Sequence, residues 1–190
     1  MAAELREFIN DGQTVCRQIF EPRMRKPYPN VTGAAYPSQF QFQQNEAGRR
    51  VESVIWKQKS SDAACHELGV RKAQKDSHLK LMIKPDTPNE ELPVYVGFFE
   101  AGVSRIRGAP HADDKYCDAG IFEVEHEPEG GVYAHAHIVL NDGFLEIVRQ
   151  GSAAELGPRA VVLSEKIARQ HAINMLVRVI EYTGLVPIAP

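Results

Sequence analysis

At 190 residues, 43% hydrophobic and 25% charged, the chain has the composition of a folded globular protein with a substantial core. A formal net charge of −3 and a pI near 6.2 argue against a general nucleic-acid binder. No apolar run approaches the roughly 20 residues that a membrane-spanning helix needs. Cys16, Cys65 and Cys117 are widely spaced with no C-x-x-C, which fits a reducing, cytoplasmic setting rather than a disulfide framework.

The first ten residues, MAAELREFIN, carry acids early and no apolar signal core, and read as mature protein. Residues 2–20 place Leu5, Phe8, Ile9, Val15, Cys16, Ile19 and Phe20 near helical spacing, so an N-terminal helix is predicted, weakened at Gly12. Its stripe must lie on the chain's own sheet or on a second copy, and homodimerisation through this helix is a separate expectation. Pro22, Pro27, Pro29 and Pro37 then make residues 21–37 an extended arm.

Ser38–Gln44 alternates polar and aromatic residues, so Phe40 and Phe42 face one way as in a half-buried strand. A turn at Asn45–Gly48 leads to a second strand over Val51–Lys57, where Trp56 belongs to the core. Ser60-Ser61-Asp62 caps a helix running to about Lys75, with Gly69 a break point. Leu79–Lys84 and Val94–Glu100 are predicted strands, joined by an exposed Pro85–Pro93 loop. Gly97 marks a bulge or a close approach.

Residues 101–118 concentrate chemistry-bearing side chains. Arg105 and Arg107 alternate on a predicted short strand and, with His111, are candidates for binding an anionic ligand. Asp113, Asp114 and Cys117 are the candidate catalytic residues, although carboxylate neighbours disfavour a Cys117 thiolate. The bland reading is a polar surface loop leading into the next hairpin.

That hairpin, Ala119–Leu140, is where the most specific expectation rests. The Glu127–Gly131 stretch reverses the chain, and strand alternation puts Phe122, Val124, Ala134, Ala136 and Ile138 on one face. Glu123, Glu125, His135 and His137 share the other. A three-residue loop pairs Glu125 with His135 and Glu123 with His137; a five-residue loop pairs Glu123 with His135. The four polar residues are either a ladder of Glu–His pairs or a two-His, one-carboxylate set for zinc or iron. Gly131, His135-x-His137 and Asp142 are loosely similar to the first cupin motif, with a shorter glycine-to-histidine spacing and no second motif.

Phe144–Val148 reads as a strand or short helix, and a capping box at Ser152–Glu155 is soon interrupted by Gly157-Pro158. The last element, residues 164–184, is a long amphipathic helix with Ile167, Ala168, Ala172, Met175, Leu176 and Val179 on one stripe. His171 sits at its edge as a packing residue.

The expected fold is a single α+β domain over residues 1–190: an antiparallel sheet of five to seven strands, with the N-terminal and long C-terminal helices packed on one face. Residues 1–37 supply helix and arm, residues 38–163 the sheet with one inserted helix, and residues 164–184 the last helix. Profilin-like and helix-grip arrangements share this element order. With no phosphate loop, G-x-S-x-G or G-x-G-x-x-G, the expected function is a soluble, intracellular, non-catalytic binding or accessory module. Its partner is a small molecule or a protein, not nucleic acid and not a membrane. The alternative is a metal-dependent enzyme, hydrolytic or oxygen-using, built on the Glu/His face.

Overall fold

The computed structural model describes residues 6–21, 40–109, 120–128, 131–156, 160–180 and 185–187. They form an open, antiparallel, seven-stranded sheet with helices on both sides, which is the expected α+β class. The strands are β1 (Thr14–Glu21), β2 (Gln43–Gln44), β3 (Arg50–Trp56), β4 (Val94–Gly102), β5 (Phe122–His126), β6 (His135–Leu140) and β7 (Leu185–Pro187). The helices are α1 (Asp62–Ile83), α2 (Val103–Arg107), α3 (Asp142–Leu156) and α4 (Ala160–Ile180). Across the sheet the order is β5-β6-β3-β1-β4-β7, with β2 paired to β3.

Within the segment predicted as an N-terminal helix, Thr14 onward is instead strand β1, preceded by an Asp11–Gly12 turn. Val15, Cys16, Ile19 and Phe20 match a helical stripe, but a short apolar run covered on both faces gives the same pattern as a strand. Of the stripe on which a helix-mediated homodimer was expected, Val15, Cys16, Ile19 and Phe20 are buried in the sheet, whereas Phe8 is exposed. Phe40 and Phe42 are buried as expected, yet of the described residues in that stretch only Gln43–Gln44 forms strand, turning through Asn45–Gly48 onto β3.

Helix α1 begins where expected, with Ser61 Oγ accepting from the Ala64 amide at 3.2 Å. It does not break at Gly69 and continues through the predicted Leu79–Lys84 strand, because Leu, Lys and Met are good helix formers. Arg105 and Arg107 lie on helix α2 rather than on a strand. Residues 142–156 form one continuous helix, initiated by Asn141, whose side chain accepts from the Gly143 amide at 2.8 Å.

Alternation along the strands divides the core. Cys16, Ile55 and Phe98 pack with Cys65 and Leu68 of α1. Their chain neighbours Val15, Trp56 and Phe99 cluster with Phe144 and Val148 of α3 and Ala172 and Leu176 of α4. Helix α1 thus covers the face opposite to the α3–α4 pair. Each fully buried Phe or Leu contributes roughly 1.5–3 kcal/mol. Among the described residues, no helix is long and apolar enough to cross a membrane.

Pairing within the sheet is uneven. Strand β1 runs with β4 from Thr14↔Gly102 to Glu21↔Val94, with a register shift between Ile19 and Phe20 opposite Gly97, where a bulge was expected. Gly97 has a φ of 150°, which glycine tolerates best. Strand β3 runs with β6 from Val51↔Val139 to Ile55↔His135. Between β1 and β3, however, only Val15↔Trp56 and Cys16↔Ile55 register. The strands then part, and the parted region positions the candidate site.

Candidate functional site

The β5–β6 register places Glu125 opposite His137 and Glu123 opposite Val139. Neither expected pairing is formed, because residues 127–134 make a longer connection than a three- or five-residue loop. Within it the His135 amide donates to the Val132 carbonyl. The face assignment follows from the register: Glu123, Glu125, His135 and His137 all lie on the side opposite Phe122, Val124, Ala136 and Ile138.

Each of these polar groups has structural work. Glu125 receives both terminal nitrogens of Arg49, at 2.7 and 2.9 Å, and this hydrogen-bonded guanidinium holds its carboxyl below the ordinary carboxylate range. Glu123 lies 3.4 Å from Arg107 Nε. His135 Nδ1 donates to the Glu127 carbonyl at 2.8 Å, and its ring meets His137 edge-on with centroids 4.8 Å apart. Among the described residues, no group of three or more His, Cys, Asp or Glu side chains is arranged to hold a metal ion.

Arg107 does not act with Arg105 as a clamp in this structure. Its guanidinium donates to Asp11 Oδ1 at 2.6 Å, to the Ile9 carbonyl at 2.9 Å and to the Val124 carbonyl at 3.1 Å, tying the chain before β1 onto β5. Arg105 is exposed on the same short helix. His111, Asp113, Asp114 and Cys117 lie outside the described residues.

A concavity of about 1010 Å³ opens on the α1 side where β1 and β3 part. Of the residues singled out in the sequence, His137 lines it. Its organising pair is Arg17 and Glu52, 2.5 Å apart, with side chains only 15% and 7% exposed. Glu52 Oε2 also accepts from the Gln41 and Phe42 amides, at 2.7 and 3.1 Å, and Arg17 Nη1 reaches the Ser53 carbonyl at 3.3 Å. The carboxylate thereby holds Phe42 at a φ of 45°, an uncommon conformation for an aromatic residue, while its ring stacks on Phe122.

Around this pair the wall carries both signs of charge. Lys72 and Asp76 come from α1, and Arg6 and Glu127 are ion-paired at 2.6 Å. Gln41, Gln43 and Asn45 add carboxamides, and Phe20 and Val51 supply apolar surface. Such a wall can hydrogen-bond a polar ligand along much of its length.

Sequence reading missed Arg17 and Glu52. Arg17 was hidden in a presumed helix, and Glu52 looked like the polar half of an alternating strand. The only available signal was a glutamate in an otherwise apolar strand near a positively charged partner, and nothing local names that partner. Comparison with known proteins returns no matching family model, no matching curated sequence and no matching solved structure.

Proposed function

We propose that the chain is a non-catalytic binding module whose α1-side groove takes a short, polar, mixed-charge peptide segment. The observation that carries this reading is the parting of β1 from β3 around the buried Arg17–Glu52 pair. It leaves a cavity of about 1010 Å³ at the upper end of the usual range for ligand sites. The lining supports a peptide over an apolar small molecule: carboxamides match peptide groups, and Lys72 and Asp76 offer opposite charges at the rim.

Titration with synthetic short peptides of graded charge, followed by backbone amide NMR, tests this. Saturable shifts at Ser53, Val51 and His137 are expected. A Lys72→Glu/Asp76→Lys exchange should alter the charge preference while leaving the fold intact. Absence of saturable shifts, or shifts confined to another face, overturns the proposal.

The metal-dependent hydrolase or oxygenase reading has narrower support, the adjacency of His135, His137 and Glu125. A zinc or iron ion would have to draw Glu125 away from Arg49. Stoichiometric metal on purified protein, lost with His135→Ala, would favour that reading.

A further inference from the structure

On the α1 face, close to the narrow junction of β1 and β3, two cysteines from distant parts of the chain come together. Cys16 of β1 and Cys65 in the first turns of α1 are both fully buried and pack in one small cluster with Ile55 and Phe98. The surroundings form a built site. Cys65 Sγ lies 3.5 Å from the Ser60 hydroxyl, and Gln18 Nε2 donates to the Cys65 carbonyl at 2.8 Å, fixing α1 on β1. The Lys57 ammonium is held beside the pair by Glu100 at 2.6 Å and by Asp62, over the face of Phe98.

The environment distinguishes the two sulfurs. The Cys16 hydrogen bond, the Ser60 hydroxyl and the Lys57 charge favour a thiolate on Cys65, whose pKa falls despite burial. Cys16, as the donor to that sulfur, is pushed the other way, and burial adds to the rise. Cys65, beside the Ser60 hydroxyl, is accordingly the nucleophile and Cys16 the resolving thiol.

We propose that Cys16 and Cys65 are a peroxide-responsive dithiol that closes to a disulfide joining β1 to the start of α1. The Cys65 thiolate attacks one oxygen of a hydroperoxide; an S–O bond forms, the O–O bond breaks, and the departing hydroxide takes up a proton as water. The Cys16 sulfur then attacks Cys65 sulfur, the S–O bond breaks, and the second water leaves with the Cys16 proton. Two thiols and one hydrogen peroxide become one disulfide and two waters, the sulfurs supplying both electrons. Burial shields the pair from bulky disulfides and alkylating agents, which selects an oxidant little larger than water.

The test uses the full chain carrying Cys117→Ser, treated with hydrogen peroxide and read by intact mass and peptide mapping without reduction. Loss of two hydrogens per chain, a linked Cys16–Cys65 peptide, and a higher Tm that reverts with reductant are expected. Cys16→Ser should instead accumulate a sulfenic acid at Cys65 that dimedone traps, and Lys57→Met should slow the reaction severalfold. The proposal fails if peroxide leaves both thiols intact under conditions that oxidise free cysteine. It also fails if the link forms only in denaturant, or if Cys65 proceeds to sulfinic acid with Cys16 untouched.

Discussion

Gly69 lies so close to the ring of Tyr95 that a Cβ there would overlap the Cδ2, Cε2 and Cζ carbons. Tyr95 has little room to yield. It is 5% exposed, hydrogen-bonded to His66 Nδ1 at 2.9 Å, and its ring centroid lies 5.6 Å from that of Phe20. A mid-helix glycine normally gives about 1 kcal/mol back when replaced by alanine, but overpacking a fixed neighbour loses about 1–3 kcal/mol. Gly69→Ala should therefore lower stability in urea denaturation. In a Tyr95→Leu background the same substitution should become neutral or stabilising, giving a clear coupling in the double-mutant cycle. Stabilisation by Gly69→Ala alone would contradict the close packing.

His66 predicts a pH dependence. Burial, and secondarily the Lys57 charge, lower its pKa from the ordinary 6.5. A depressed folded-state pKa means that its contribution to stability is complete above about pH 6.5 and is lost as the pH falls through the folded value. The difference in urea midpoint between the parent and His66→Gln should thus shift against the parent on going from about pH 7 to about pH 5. A difference independent of pH would remove His66 as the source.

Glu52 should be among the least replaceable polar residues. Glu52→Ala removes the carboxylate shared by Arg17 and the Gln41 and Phe42 amides, and breaking a buried ion pair from one side costs about 3–5 kcal/mol. Glu52→Gln keeps an acceptor oxygen and should lose less. Urea denaturation ranks the two, and equal losses would show that the charge rather than the acceptor geometry dominates.

Arg107→Met tests the anchoring of the segment before β1. Charge-assisted hydrogen bonds to Ile9, Asp11 and Val124 are removed, at about 1.5–3 kcal/mol for each one that is well formed. Hydrogen exchange should accelerate at the Val103 and Ser104 amides, which donate to Gln13 and Asp11, while β6 amides paired with β3 keep their protection. Uniform acceleration across the sheet would indicate global destabilisation instead.

What could be read in advance followed from local rules. The N-cap of α1, the buried stripe of α4, the β3 strand with Trp56, and the bulge at Gly97 each depend on residues within a few positions of one another. The four polar residues of the β5–β6 face were found for the same reason, because alternation is local. Their partners were not. Arg49 on Glu125, Arg107 on Glu123 and Arg17 on Glu52 arrive from a turn, a helix and another strand, and no periodicity encodes them. The reading of β1 as a helix failed because covering both faces of a strand erases the period-two signal. Leu79–Ile83 failed the opposite way: its alternation was incidental, and helix propensity carried α1 onward.

The sparse register between β1 and β3 has a mechanical consequence. Among the described residues, the sheet is two slabs, β5-β6-β3 (with β2) and β1-β4-β7, hinged at a bridge of two residue pairs. Under load or mild denaturant that fault line should yield first, each slab keeping its own ladder. The protein would then come apart along an internal seam rather than fray from its margins.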